Sequence, residues 1–263
     1  MAGAAPIFND ASSYQAFMGR WSHAVGAVFL DWLAPPKGAS WLDVGCGTGV
    51  FTELVLDSCS PAAVVAVDPA AAQIDYARKQ SVAQRADFRV ADAQALPFSD
   101  CAFDVVVSAL VINFIPDYPR ALAEMRRVCC PGGSVAGYVW NFAEERSASW
   151  PLASGLRQIG IEPPRITGTE DSSLEALQKF FDQAGFDDIA VRPINVTVAF
   201  SDFDSYWRAQ IAPFHPLGKL IGAMPDTDRV KLMEVVRAAL PAEANGSIAY
   251  SACANAIKSC VRA

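Results

Sequence analysis

Histidine is scarce in this 263-residue chain, and its seven cysteines show no spacing typical of a metal site. The only histidines are His23 and His215. Cys129 and Cys130 are adjacent, and the other cysteines lack the paired short spacings of zinc ligands. We therefore expect no metal site, and we expect the cysteines to be small buried residues in a reducing compartment.

The chain also lacks a run rich in lysine and arginine, and it is acidic, with 21 Lys and Arg against 28 Asp and Glu. Surfaces that attract nucleic acid are basic, so we expect no nucleic-acid partner. No apolar stretch is long enough to span a bilayer, and no basic segment leads into an apolar one at the N-terminus. These absences predict a cytoplasmic protein without a membrane span. They leave the choice between a monomer and a homodimer open.

The most informative segment that is present is WLDVGCGTG, residues 41–49. Apolar residues that end a predicted buried strand precede three alternating glycines, and apolar residues at helical spacing follow. Glycine tolerates positive φ and lets a ligand approach the backbone. The helix N-terminus then offers N–H groups to whatever is bound. The segment therefore predicts a cofactor-binding turn.

The glycine spacing helps to identify the cofactor. A dinucleotide fingerprint reads GxGxxG, whereas here Gly45, Gly47 and Gly49 alternate and Asp43 stands two residues before the first. A carboxylate at this position disfavours a pyrophosphate and favours an ammonium group. An NAD(P)-dependent oxidoreductase is therefore the weaker alternative. A second alternative for Asp43 itself is that it only orients the loop, as an N-cap residue does.

Two further acids follow predicted strands. Asp68 ends the second strand, from which an acid can accept hydrogen bonds from both ribose hydroxyls, and we expect no other structural role for it. Pro69, which follows it, is a further predicted cofactor contact. Asp92 follows the third strand and, with Ala93, can bind the edge of an adenine; the alternative is an Asx turn. A ligand with an ammonium group, a ribose and an adenine satisfies all three acids. S-adenosylmethionine is such a ligand.

These motifs occur in the order of a known family. The region from about residue 37 to 140 resembles the class I S-adenosylmethionine-dependent methyltransferases of the type 11, or UbiE-like, small-molecule kind. The matching segments are Leu42–Gly49, Val65–Asp68, Ala91–Phe98, Phe103–Ser108, Leu122–Val128 and Pro131–Gly133. The resemblance implies methyl transfer to a small-molecule acceptor, with S-adenosylhomocysteine as product. The alternative within the family is a protein that binds the cofactor without methylating.

Strands alternate with helices along the matching region. The predicted strands lie near 40–44, 63–68, 86–90, 103–108 and 134–140, and the predicted helices near 48–58, 70–82 and 117–129. This alternation indicates an α/β fold with a Rossmann-like, doubly wound and mostly parallel sheet, with ligands at the carboxyl ends of its strands. A sixth strand is predicted over 189–200. The resemblance implies a seventh, antiparallel strand, for which 247–261 has the required alternation.

The flanking segments complete the predicted organisation. Residues 1–36 are predicted to form an N-terminal helical lid, 37–200 with 247–263 the cofactor-binding core, and 201–246 a helical substrate cap inserted before the last strand. The aromatic residues of the insertion favour a cap over the acceptor. The alternative is a group of helices that only covers the sheet.

Further site residues are predicted on these elements. By the resemblance, Tyr14 and Arg20 of the N-terminal helix approach the cofactor. The aromatic face of Tyr14 would lie near the sulfonium or ammonium group, and the guanidinium of Arg20 would bind the cofactor carboxylate. Cys46 lies in the glycine turn, and Ser108 ends the fourth strand near the reactive methyl group.

The acceptor pocket is predicted from residues at or beyond the strand ends and in the insertion. These residues are Asn113, Tyr138, Trp140 and Trp207. Methyl transfer is an in-line displacement in which the protein mainly supplies alignment. A general base is needed only if the acceptor loses a proton, and His215 is the candidate, with a structural role as its alternative.

Overall fold

The computed structural model describes residues 11–211 and 216–262, and over 11–17 it describes the helical backbone alone. The helices are α1 (Ala11–Leu33), α2 (Val50–Ser58), α3 (Ala71–Ala77), α4 (Tyr118–Val128), α5 (Trp150–Gln158), α6 (Leu174–Gln183), α7 (Phe203–Gln210), α8 (Pro216–Ala223) and α9 (Asp226–Ala239). The strands are β1 (Ser40–Val44), β2 (Ala63–Asp68), β3 (Asp87–Val90), β4 (Phe103–Ala109), β5 (Cys129–Trp140), β6 (Asp187–Phe200) and β7 (Ile248–Cys260).

The seven strands form one sheet in the order β3-β2-β1-β4-β5-β7-β6. The strands from β1 to β5 pair in parallel, and β7 lies antiparallel between β5 and β6. The strand order reverses between β1 and β4, which is where open α/β sheets bind ligands, outside the carboxyl ends of the strands. The predicted Rossmann-like fold with an antiparallel last strand is confirmed.

Two boundaries differ from the prediction. The helix predicted over 70–82 ends at Ala77, because the chain turns away and Gln80 is extended with φ −88° and ψ 161°. The Arg78 guanidinium donates to the Phe88 carbonyl at 2.6 Å, which fastens this end to β3. The fifth strand begins at Cys129 instead of residue 134, because the chain loops out before its regular pairing with β4.

The N-terminal helix belongs to the core of one face of the sheet. Trp21, Val25 and Phe29 of α1 are fully buried in the same apolar cluster as Trp41 of β1 and Tyr138 of β5. A Cβ at Gly26 of α1 would lie 2.8 Å from Leu54 Cδ2 of α2, so the two helices pack closely and α1 lies beside the glycine turn. The helix therefore forms a wall of the predicted ligand edge.

The helices of the insertion cover the same face. Phe203, Tyr206 and Trp207 of α7 are buried in the cluster that contains the α1 residues. Gly155 of α5 lets α9 come close, since a Cβ there would lie 2.8 Å from Val236 Cγ2. This packing is what the covering alternative describes, and the role of 201–246 as a substrate cap stays a prediction.

The described residues also bear on the cysteines and on metal binding. No group of three or more His, Cys, Asp or Glu among them is placed to hold a metal ion. All seven cysteines are free, and Cys101 is exposed, so the expectation of uniformly buried cysteines is wrong there. No helix in the described ranges is long and apolar enough to cross a membrane.

Candidate cofactor and acceptor site

The glycine turn joins β1 to α2. Gly45, Gly47 and Gly49 have φ values of 81°, 54° and 88°, a region that side chains rarely adopt. A Cβ at Gly45 would lie 2.6 Å from Val111 Cγ1. The glycine at 45 is therefore required both by the backbone conformation and by the close approach of the segment after β4.

The N–H groups of this turn are largely used within the protein. Gly45 and Cys46 both donate to the Val67 carbonyl, at 2.8 and 3.0 Å, and Gly47 donates to Asp68 Oδ2 at 3.0 Å. A phosphate-binding turn keeps such groups free for its anion. The hydrogen bonding therefore disfavours a pyrophosphate, as the position of Asp43 does.

Asp43 lies buried at the end of β1, with an exposed fraction of 1%. Thr52 Oγ1 donates to its Oδ2 at 2.6 Å, and its Oδ1 has no hydrogen-bond partner among the described residues. Burial raises the pKa of Asp43 to about 7; the Thr52 hydrogen bond opposes this rise and the Asp68 charge adds to it. A cation beside Oδ1 would stabilise the ionised form, which fits the ammonium group of an amino-acid ligand.

Asp68 links the second strand to the glycine turn. Its Oδ2 accepts from the Gly47 N–H at 3.0 Å and its Oδ1 from the Ala70 N–H at 2.8 Å. The expectation that Asp68 has no structural role is therefore wrong. Burial raises its pKa, and these two hydrogen bonds oppose the rise. Each carboxylate oxygen has a further lone pair, so the side chain can also accept from ribose hydroxyls.

A cleft opens beside the turn, with a volume of about 320 Å³ including the part open to solvent. Its lining residues are Ser22, Asp43, Gly45, Cys46, Thr48, Val50, Phe51, Ala109 and Tyr138. Sequence reasoning missed five of them. Ser22 could have been found, because it is a polar residue within the apolar stripe of α1.

The Cys46 thiol stays protonated, since burial raises its pKa and the nearby Asp43 charge adds to this.

The predicted adenine side lies at the end of β3. Asp92 is exposed and forms the Asx turn that was its alternative, accepting from the Gln94 N–H at 2.9 Å through Oδ1. Ala93 beside it is buried, and Pro69 after β2 is exposed. The turn fixes the carboxylate in place and leaves it open to solvent, so both the structural and the binding role are compatible with its geometry.

Comparison with known proteins decides the family. The sequence profile of the methyltransferase domain matches residues 42–137. Over 200 residues the chain is 32% identical to the ubiquinone/menaquinone biosynthesis C-methyltransferase UbiE of Dinoroseobacter shibae. The aligned region covers 69% of this chain and 78% of that protein. The chain belongs to the UbiE-like class I S-adenosylmethionine-dependent methyltransferases. The protein of the same name from Paracoccus denitrificans is 40% identical to this methyltransferase over 198 residues, with the same two coverages.

Solved structures support the fold of this methyltransferase. An S-adenosylmethionine-dependent methyltransferase from Thermotoga maritima superimposes with a TM-score of 0.57 at 17% identity, covering 97% of this chain and 98% of its own. The predicted family, enzyme class and cofactor are thus confirmed. Nothing in the comparisons favours the oxidoreductase alternative.

The site residues fit S-adenosylmethionine, on two observations of this structure. Asp43 Oδ1 is a buried acceptor without a partner among the described residues, which suits the ammonium group. The turn at Gly45 and Gly47 carries no side chain toward the ligand edge, which suits close passage of the methionine end. Asp68 would hold the ribose, and Asp92 with Ala93 the adenine.

Three of the predicted acceptor residues lie on β5 or in the segment after β4. Tyr138 lines the cleft, and Trp140 is buried with its ring edge-on to Trp21 at 5.9 Å. Asn113 is buried, and its amide donates to the Gly168 carbonyl at 3.0 Å, which ties the segment before α6 to the end of β4. Ser108 is fully buried, and its Oγ has no hydrogen-bond partner among the described residues.

Four remaining predictions are not tested at the cleft. Arg20 lies against the end of β6, where its Nη1 is 3.5 Å from the Ala199 carbonyl. Trp207 is buried and stacks on Phe203 with 6.0 Å between the ring centroids. Neither lines the cleft. The side chain of Tyr14 and the whole of His215 lie outside the described residues.

Proposed function

We propose that this methyltransferase transfers the methyl group, by in-line displacement, to a small uncharged acceptor with an apolar body. One observation carries the proposal. Tyr138 of the cleft and Trp140 of the aromatic cluster beside it stand two residues apart on the same face of β5, about 7 Å apart along the strand. An acceptor held against Trp140 would therefore lie next to the cofactor cleft.

The charge of the buried residues supports an uncharged acceptor. Among the described residues, Asp43 is the only buried carboxylate, and no Lys or Arg is buried. A charged group that leaves water needs a partner of opposite charge or several hydrogen bonds. Since Asp43 belongs to the cofactor side, no buried charge among the described residues of this face is available to pair with a charged acceptor.

The chain's own residues supply position rather than chemistry. The bound cofactor supplies a methyl group already activated by its sulfonium. Asp43 and the glycine turn would hold the amino-acid end, Asp68 the ribose, and Tyr138 the wall between donor and acceptor. Correct alignment of donor and nucleophile lowers the barrier by several kcal/mol. Where the nucleophile must lose a proton, His215 stays the predicted base.

The names of the UbiE relatives support a carbon nucleophile, because both are C-methyltransferases of ubiquinone/menaquinone biosynthesis. The test is turnover with labelled S-adenosylmethionine and a panel of neutral phenols, each paired with its carboxylated counterpart. We expect S-adenosylhomocysteine and a methylated product with neutral acceptors only, and less of both with Asp68→Ala when S-adenosylmethionine is just saturating for the wild type. Turnover confined to the carboxylated compounds would contradict the proposal. Tight cofactor binding without turnover of any acceptor would favour a binding protein.

A further inference from the structure

The buried face of α7 carries polar groups that have no hydrogen-bond partner among the described residues. Gln210 is 2% exposed, and neither its amide nitrogen nor its amide oxygen has a hydrogen-bond partner among the described residues. Tyr206 is fully buried, and its hydroxyl likewise has no partner there. The two residues are four positions apart, so their side chains are neighbours on one face of the helix.

Such groups are unfavourable in a protein that binds nothing. Buried polar atoms are nearly always hydrogen-bonded, and an unsatisfied one costs about 1–3 kcal/mol. A leucine at 210 and a phenylalanine at 206 would fill similar volumes without that cost. The amide and the hydroxyl can each donate and accept, so together they match a hydroxyl, carbonyl or amide group that carries no charge.

The α7 polar pair, Tyr206 and Gln210, is linked to the cofactor cleft by an aromatic cluster. The centroids of the Tyr206 and Tyr250 rings are 6.4 Å apart, and those of the Tyr250 and Trp21 rings are 5.9 Å apart. Trp21 in turn contacts Trp140, on the same strand face as Tyr138 of the cleft. Tyr206 thus lies among aromatic rings, with the cleft at the far end of the cluster.

We propose that Tyr206 and Gln210 are specificity-determining residues that bind the uncharged polar group of the acceptor while the aromatic cluster packs against its apolar body. This inference rests on the proposed function and adds a recognition element that selects a hydroxyl, carbonyl or amide. The indole N–H of Trp140, buried and without a partner among the described residues, provides a further donor in the same cluster.

The first test measures the melting temperature of the protein without acceptor. Gln210→Leu and Tyr206→Phe each remove a buried polar group that has no partner among the described residues, so we expect each to raise the melting temperature by a few degrees. Tyr250→Phe is the matched control, because the Tyr250 hydroxyl already donates to the Ser147 carbonyl at 3.2 Å in the same cluster. We expect this control to lower the melting temperature. A decrease for both variants of the pair would show a structural role and overturn the proposal.

The second test measures recognition with two probes, naphthol and naphthalene, by equilibrium dialysis against the protein saturated with S-adenosylhomocysteine. We expect the wild type to bind naphthol about tenfold more tightly, and we expect this preference to fall toward one in the double variant of the pair and to persist in Tyr250→Phe. Equal binding of both probes by the wild type, or binding of neither, would overturn the inference. If the wild type does not bind S-adenosylhomocysteine at all, the proposed function itself is overturned.

Discussion

Thr52 of α2 donates a 2.6 Å hydrogen bond to Asp43 at the end of β1, and this bond satisfies only one oxygen of a fully buried carboxylate. Because the carboxylate is buried, and in spite of the Thr52 hydrogen bond, the folded protein holds Asp43 with a pKa of about 7, against an ordinary value of 3.8. A carboxyl group whose pKa rises on folding binds its proton more tightly in the folded state. Its favourable contribution to the free energy of unfolding is complete below the ordinary pKa and is lost as the pH rises through about 7.

The first prediction is a pH-dependent effect of Asp43→Asn on stability. The variant cannot ionise, so it avoids the cost of burying a charge above pH 7. We expect the melting temperature of the variant, relative to wild type, to increase between about pH 5 and about pH 8, as followed by calorimetry without cofactor. Parallel curves for the two proteins over this range would show that Asp43 does not titrate there.

The second prediction is proton release when the cofactor binds. The ammonium group of S-adenosylhomocysteine beside Asp43 would lower the pKa of the carboxyl, so below about pH 7 binding expels a proton. We expect titration calorimetry in two buffers of different ionisation enthalpy to give different apparent enthalpies, and the affinity to rise with pH toward 7. In Asp43→Asn the buffer dependence should disappear. Identical enthalpies in the wild type would place the ammonium group elsewhere.

The third prediction concerns Asp68, which holds the glycine turn and is the predicted ribose ligand. Asp68→Ala should weaken S-adenosylmethionine binding ten- to hundredfold, about 1.4–2.8 kcal/mol, through the loss of charge-assisted hydrogen bonds. Asp57→Ala is a suitable control, because Asp57 pairs with Arg85 on the exposed surface. Titration calorimetry measures both. An unchanged affinity in Asp68→Ala would remove this carboxylate from the site.

The fourth prediction compares two glycines. Gly45→Ala places a methyl group 2.6 Å from Val111 in a backbone with φ of 81°, so we expect loss of detectable cofactor binding and a lower melting temperature. Gly222→Ala of α8 meets no atom within 4 Å, and alanine favours the helix. We expect the control to bind normally and to be as stable as wild type or more so. Normal binding by Gly45→Ala would show that the turn can adapt.

The sequence predicted what depends on periodicity and on strand ends. The alternation of strands and helices is sufficient for the parallel strands β1 to β5, whereas the antiparallel β7 was implied by the family resemblance. Asp43 and Asp68 were identified because an acid after a buried strand must lie at its carboxyl edge. Partners that are distant in the chain left no such signal. The bonds from Gly47 to Asp68, and the burial of Gln210 without a partner, depend on how separate elements pack.

The last prediction concerns Arg127, which supports the segment after Asp92. Its guanidinium donates to the carbonyls of Leu96 and Phe98 at 3.0 and 2.7 Å and to Glu124, which itself accepts from the Leu96 N–H at 2.8 Å. These bonds fix the loop that begins at the predicted adenine contact. Arg127 itself lies on α4, so it acts as a positioning residue.

We expect Arg127→Ala to lower the free energy of unfolding by about 1–3 kcal/mol, since it leaves two carbonyls without their charged donor. Arg126→Ala is the matched control, because it removes the same charge from the neighbouring position of the helix, where the side chain is exposed. Chemical denaturation measures stability, and titration with adenosine isolates the base and ribose end of the cofactor. Adenosine has no methyl group to transfer. Weaker adenosine binding in Arg127→Ala, but not in Arg126→Ala, would therefore show that Arg127 acts by positioning the loop. Equal stability and equal adenosine affinity in the two variants would show that the loop holds its shape without Arg127.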